Sequence, residues 1–216
     1  MQRLIFETLI RPLVLLAIGL NTRHRERLPS DGPAIIVANH NSHLDTLVLM
    51  TLFPRALLPK LRPVAAVDYF FSNRLLKWFA LTIIHIIPLR RTVRPSDGDP
   101  LADVAQALEN GEIVILFPEG SRGEPEERSE FRTGVAHLAK RASKLPVEVP
   151  VVPVWLHGLG KALPRGDWVF VPFFCDVFVG ESLQWTGDRG AFMTSLEESM
   201  QTLEHEFTGG GRAGWA

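Results

Sequence analysis

Three short apolar runs, each rich in β-branched residues and each ending abruptly in polar or charged side chains, limit what this chain can fold into more than any other feature. AIIVA (Ala34–Ala38) stops at Asn39 and His40, TIIHIIPL (82–89) stops at Arg90 and Arg91, and EIVILF (112–117) runs into PEGSRG. Runs of this length and makeup read as buried strands. Further strands are expected at 63–67, at VPVVPVWL (149–156) and, once or twice, within 168–183. Pro150 and Pro153 predict an edge or bulged course for the 149–156 strand. Between the strands lie helical patterns: LDTLVLMTLF from Leu44, with Ser42 as N-cap, then 70–81, 100–111 with Asn110 and Gly111 as its stop, 131–144 and 189–207. Strands alternating with helices predict an α/β fold, a single layered domain whose central mixed, largely parallel sheet is flanked by helices. In open sheets of this kind sites collect beyond the carboxyl ends of the strands. The three polar clusters are therefore expected to be neighbours.

At 216 residues the chain is long enough for one domain with a sizeable core and short for two. Lys+Arg (23) and Asp+Glu (24) nearly cancel, so no global field favours nucleic acid and any basic site must be local. The single cysteine, Cys175, sits in an apolar run, cannot form an internal disulfide and reads as core filling in a reducing compartment. No apolar run reaches the roughly 20 residues that a membrane-spanning helix needs. The N-terminal stretch is the most lipid-like, with Ile5, Leu9, Leu13, Leu16 and Leu20 recurring at helical spacing and Arg23, Arg25 and Arg27 following. This predicts an amphipathic helix over 1–22, either packed on its own core or lying in the headgroup layer with the arginines against anionic lipid. The catalytic domain is expected over 23–208, with a flexible Gly-rich tail over 209–216.

The chemistry-bearing residues follow from the clusters. In NHNSHLD, His40 on a strand-to-helix turn and Asp45 in the first helical turn allow the imidazole to fold back onto the carboxylate. Asp45 would then accept one ring N–H, and the other nitrogen would serve as a base toward a nucleophilic hydroxyl supplied by the substrate. His40, His43 and Asp45 also approach a metal-ligand run, which would make the chain a metal-dependent hydrolase. The spacing, H-x-x-H-x-D, and Thr46 where a further histidine would be wanted argue against that. Arg90 and Arg91, and the turn Glu119, Gly120, Ser121 and Arg122, place guanidinium forks and backbone-exposing glycines at strand ends, as binding of a phosphate monoester demands. Glu119 is expected to accept a hydrogen bond from the acceptor hydroxyl. Oxyanion donors are sought among backbone N–H groups at the start of the helix near Ser42.

Taken in order, VANHNSHLD, IIPLRR, ILFPEGSRG and VPVVPV resemble the four blocks of the 1-acyl-glycerol-3-phosphate (lysophosphatidic acid) acyltransferases, within the wider glycerolipid acyltransferases. The similarity covers about residues 25 to 158 and includes Phe131-Arg132-Thr133-Gly134. The resemblance implies a glycerol-3-phosphate acyltransferase-like fold. It implies His40 as catalytic base with Asp45 as its partner, and Glu119, Gly120, Ser121, Arg122 and Arg90 or Arg91 as acceptor-binding residues. It also implies no metal or redox cofactor. The co-substrate is acyl-CoA or acyl carrier protein, the acceptor a lysophospholipid, and the setting a peripheral position on the cytoplasmic face of a membrane. Alternatives with the same chemistry are other lysolipid acceptors; a catalytically silent lipid-binding protein is a third reading.

Overall fold

A computed structural model describes residues 2–42, 44–67, 73–89, 98–120, 131–159 and 174–210. Seven strands form one sheet: β1 (Gly19–Arg23), β2 (Ala34–Ala38), β3 (Leu61–Ala66), β4 (Ile87–Leu89), β5 (Ile113–Leu116), β6 (Val151–His157) and β7 (Phe174–Val179). Their order is β1-β7-β6-β2-β5-β3-β4, parallel throughout except for the antiparallel β6–β7 pair. This is the mixed, largely parallel sheet expected from the alternation of elements.

Central strands are buried on both sides, which explains their unbroken apolar makeup. Ala34, Ile36 and Ala38 of β2 join one core, with Ile113, Ile115, Val152 and Val154. Ile35 and Val37 join the other, with Val114, Val151 and Trp155. On the first side lie α1 (Gln2–Ile5), α2 (Arg11–Ala17) and α3 (Asp45–Leu52). On the second lie α5 (Ala102–Glu109), α6 (Gly134–Ala142) and α7 (Arg189–Gly210), while α4 (Arg74–Phe79) leads into β4. The chain leaving β2 thus turns to one face through α3, and the chain leaving the adjacent β5 reaches the other through α6. Two neighbouring strands whose helices go to opposite faces leave a crevice at their carboxyl ends.

Several expectations are corrected by the fold. Residues 82–89 are not one strand: a π-helical turn, Ala80–Ile84, prolongs α4, His85 stops it in the left-handed region (φ 59°), and only Ile87–Leu89 is extended. Ile83 and Ile84 are core residues on that turn, so an apolar β-branched run was buried as helix. The strand over 151–157 is central, not at an edge. Pro153 is accommodated because the β7 ladder ends beside it: Gly180 N donates to Pro153 O (2.8 Å), and the next bridge, Val151 to Leu183, takes three residues on one side against two on the other. The bulge is therefore on the partner segment. Helix α3 begins at Asp45, and the Ser42 hydroxyl accepts from Leu44 N (3.2 Å) instead of capping a helix that starts earlier.

The N-terminal helix ends at Ala17, and residues 19–22, expected to extend it, belong to the edge strand β1, which pairs with β7. A π-helical turn, Phe6–Ile10, sits just before Pro12, whose ring cannot follow an ordinary helical turn without meeting the carbonyl four residues back. Phe6, Ile10 and Val14 face the core, whereas Leu9 and Leu13 (63% exposed) and Leu16 (88%) face outward. The arginines expected to reach lipid are held by protein groups: Arg25 by Leu52 O, Arg27 by Val179 O and Glu181, and Arg23 over the Phe178 ring. They leave from β1 and the short turn after it, which point them back across the sheet.

Candidate active site

The crevice beyond β2 and β5 is built one residue at a time. At the end of β2, Asn39 is buried, and its amide behaves like an extra peptide of the ladder. Its Nδ2 donates to Leu156 O (2.8 Å) and its Oδ1 accepts from Leu156 N (2.7 Å), clasping β2 to β6 beyond their last paired residues. In the sequence Asn39 reads only as the residue where a strand stops; its one signal is position, an amide immediately before the histidine.

His40 follows directly. Its Nδ1 lies 2.8 Å from Asp45 Oδ2, and the same oxygen accepts Asn41 N (2.8 Å) and Ser42 N (2.9 Å). A carboxylate only accepts, so Nδ1 carries the proton in this bond and Nε2 keeps the lone pair. Asp45 is fully buried, while the His40 side chain is 22% exposed and stacks on Phe117 (centroids 4.3 Å apart, planes 25° apart). The imidazole is thus fixed in tautomer by the carboxylate and in tilt by the ring.

From β5 the turn brings Glu119 beneath this loop. Glu119 is 3% exposed and its Oε1 accepts the His40 backbone N–H at 3.3 Å. One oxygen of the carboxylate expected to meet the acceptor hydroxyl is thus directed at the histidine's main chain. Gly120 has φ 71°, in the left-handed region. Among the described residues, five of the loop N–H groups sought as oxyanion donors are engaged: His40 N by Glu119, Asn41 N and Ser42 N by Asp45, Leu44 N by Ser42 Oγ and Asp45 N by Ser42 O.

An imidazole with a free nitrogen, oriented by a buried carboxylate at the carboxyl ends of a parallel sheet, is equipped to take a proton from a hydroxyl. A family model described as Acyltransferase matches residues 19–157, more than half of the chain. The chain belongs to the acyltransferase family. Among its relatives, the chain is 32% identical over 149 residues to a chloroplastic 1-acyl-sn-glycerol-3-phosphate acyltransferase of Arabidopsis thaliana, a match that covers 68% of the chain but only 38% of the relative's length. It is 28% identical over 210 residues to the human 1-acyl-sn-glycerol-3-phosphate acyltransferase alpha (93% and 69% covered). The crystal structure of the 1-acyl-sn-glycerophosphate (LPA) acyltransferase PlsC from Thermotoga maritima superposes with a TM-score of 0.77 at 20% identity, over 99% of this chain and 81% of that one. That likeness shows the shared fold, helices on both sides of one mixed sheet with a helix at the N-terminus.

In this family member the structure brings His40, Asp45, Glu119 and Gly120 together. Ser121, Arg122, Arg90, Arg91 and His43 lie outside the described residues. Cys175 is buried close enough to Asp45 to sense its charge; burial first, then Asp45 and Asp176, push its thiol far up and leave it inert.

Proposed function

We propose that this acyltransferase moves a fatty acyl group from a thioester donor, acyl-CoA or acyl carrier protein, to the free hydroxyl of 1-acyl-glycerol-3-phosphate, giving phosphatidic acid. One observation carries the reading: the 2.8 Å contact between His40 Nδ1 and the buried Asp45, which leaves Nε2 as a base at the mouth of the crevice. The names of the relatives supply the acceptor class.

In this reading, Nε2 takes the hydroxyl proton as the oxygen attacks the thioester carbonyl, and a C–O bond forms while Asp45 stabilises the growing imidazolium. The tetrahedral oxyanion then collapses, the C–S bond breaks, and the proton passes from Nε2 to the departing thiolate. No acyl-enzyme and no cofactor are needed. Asn39 and Glu119 position His40 from below. Arg122, Arg90 or Arg91, and the turn of Gly120 and Ser121, hold the phosphate and so convert a bimolecular encounter into an oriented one.

Among the described residues no helix is long and apolar enough to cross a membrane. The reading instead places the protein on the cytoplasmic face of the bilayer, with the outward row Leu9, Leu13 and Leu16 in the headgroup and acyl boundary. The exposure of that row, opposite a face already satisfied by the core, supports it. The test is purified protein with a panel of lysolipids and labelled acyl-CoA or acyl carrier protein, read by mass spectrometry. Phosphatidic acid from lysophosphatidic acid is the expected product. Turnover only with another lysolipid would move the acceptor, and no turnover with any would remove the function.

A further inference from the structure

The segment NRLLKWFALTII (73–84) carries more apolar surface than a helix lying on a wet protein face can use. Asn73 starts it, its Oδ1 accepting from Leu75 N (2.9 Å) and Leu76 N (3.4 Å), and α4 then runs directly into the π turn Ala80–Ile84. Ile83 and Ile84 are buried in the first core and Phe79 packs against it, so the inward side is satisfied. Leu75 (77% exposed), Trp78 (49%) and Leu81 (41%), each three residues from the next, face outward. We infer that this outward row is a second membrane foot, which seats on an anionic bilayer beside the leucine row of the N-terminal helix. The inference rests on the bilayer placement proposed above and extends it to a second element.

Continuity with that row is the first support. Helix α1 packs against the π turn, and Phe6, Ile10 and Val14 enter the same core as Ile83 and Ile84. The two segments are built alike, with one apolar row turned inward and another, Leu9, Leu13 and Leu16 in the N-terminal helix, turned outward. Large apolar side chains that gather on one exposed face mark a surface meant to be covered.

Charge chooses the cover. Arg74 and Lys77 stand on α4 and the exposed Arg3 on α1, while the sequence from Asn73 to Leu89 contains no Asp or Glu. Glu7, the one acid between residues 2 and 17, is taken up by Arg11 at 3.0 Å. In a chain whose formal net charge is −1, a face this free of acids is a local bias toward anionic headgroups. Trp78 fits the same setting, because a half-exposed indole offers an apolar body and an N–H tip at the headgroup level. One helical row alone leaves the protein free to roll about the helix axis. A second foot beside the first turn of that helix stops the roll and so fixes how the crevice is presented to lipid.

The experiment compares the full-length protein with Leu75→Gln, Trp78→Gln, a double variant that removes apolar surface and leaves charge unchanged. Its partitioning onto phosphatidylcholine vesicles carrying phosphatidylglycerol is expected to weaken on the order of tenfold to a hundredfold, as withdrawal of two large side chains from an apolar layer does. Turnover of a short-chain, monomerically dispersed lysophosphatidic acid should be unchanged. Trp78 emission, isolated as the difference between the unsubstituted protein and Trp78→Phe, should be quenched by lipid brominated high on its acyl chains. Unchanged partitioning of the double variant, or Trp78 emission indifferent to the brominated lipid, overturns the second foot and leaves the N-terminal row its role. A dimer that the double variant dissolves with no loss of vesicle binding also overturns it, since the face then meets a second copy of the chain. Absence of vesicle binding by the unsubstituted protein overturns both this inference and the bilayer placement. Binding with quenching but without phosphatidic acid as product leaves the foot standing and removes only the proposed reaction.

Discussion

Replacing Asp45 by asparagine tests how the base is held, because the change keeps shape and removes charge. Oδ2 accepts three N–H groups, from His40, Asn41 and Ser42, at 2.8, 2.8 and 2.9 Å. An amide must present its oxygen to these donors, since its NH2 cannot accept them. The NH2 then occupies the Oδ1 site, which is buried and has no hydrogen-bond partner. Three charge-assisted bonds become neutral ones, at about 1 kcal/mol each, and the stranded NH2 costs about 1–3 kcal/mol more. The loss of roughly 4–6 kcal/mol is a large share of a domain's stability, so folded fraction has to be measured alongside rate. For catalysis, a full imidazolium and carboxylate 2.8 Å apart attract by about 6 kcal/mol at an effective dielectric of about 20. A half-transferred proton realises about half of that, roughly 3 kcal/mol, or about a hundredfold in kcat. Because Asp45 acts through His40, the Asp45→Asn, His40→Ala double variant should be no slower than His40→Ala, itself down on the order of a hundredfold or more. Initial rates normalised to folded protein by near-ultraviolet circular dichroism decide it. A further hundredfold drop in the double variant, or full activity in Asp45→Asn, would refute the pairing.

Asn39→Ala should strand Leu156 N and O inside the sheet at a cost of roughly 1–3 kcal/mol each, lowering the urea midpoint and, through displacement of His40, kcat more than either KM. His85 accepts from Arg62 (2.8 Å), and burial followed by the Arg62 charge holds its pKa below the ordinary 6.5. Its unfolded form therefore binds protons first. Stability should be level above about pH 6.5 and fall as pH drops below it toward the folded pKa, with urea titrations of His85→Asn, which tolerates the left-handed backbone, showing a smaller fall. Leu13→Glu with Leu16→Glu should abolish flotation with anionic vesicles and leave the melting temperature within a few degrees, since both side chains are exposed; retained flotation would sink the membrane-facing assignment.

What was legible in the sequence was what depends on local pattern. Apolar runs that stop at polar clusters mark strands whose carboxyl ends share one rim, and the histidine and aspartate five apart do meet there. Where pattern has two solutions, it misled. Residues 82–84 are β-branched and apolar, yet a π turn buries them as well as a strand would. The N-terminal helix is apolar on two sides, so the row from Ile5 to Leu16 and the row Phe6, Ile10, Val14 are equally periodic, and only packing shows which one meets the core. β1 was invisible because its polar alternation, GLNTR, belongs to an edge whose partner lies about 155 residues away, joined also by the Asn21 to Asp176 side-chain bond.

The site shows the same division more sharply. Spacing identified Glu119 as a polar residue at a strand end, but whether its carboxylate turns outward to a ligand or inward to the His40 main chain depends on β5 lying beside β2, a pairing made over nearly eighty residues of chain. That pairing is also what sends α3 and α6 to opposite faces and opens the crevice. The sheet order therefore does two things at once: it leaves a crevice at the strand ends and it draws the second polar cluster under the first, so that Glu119 Oε1 meets the His40 backbone N–H.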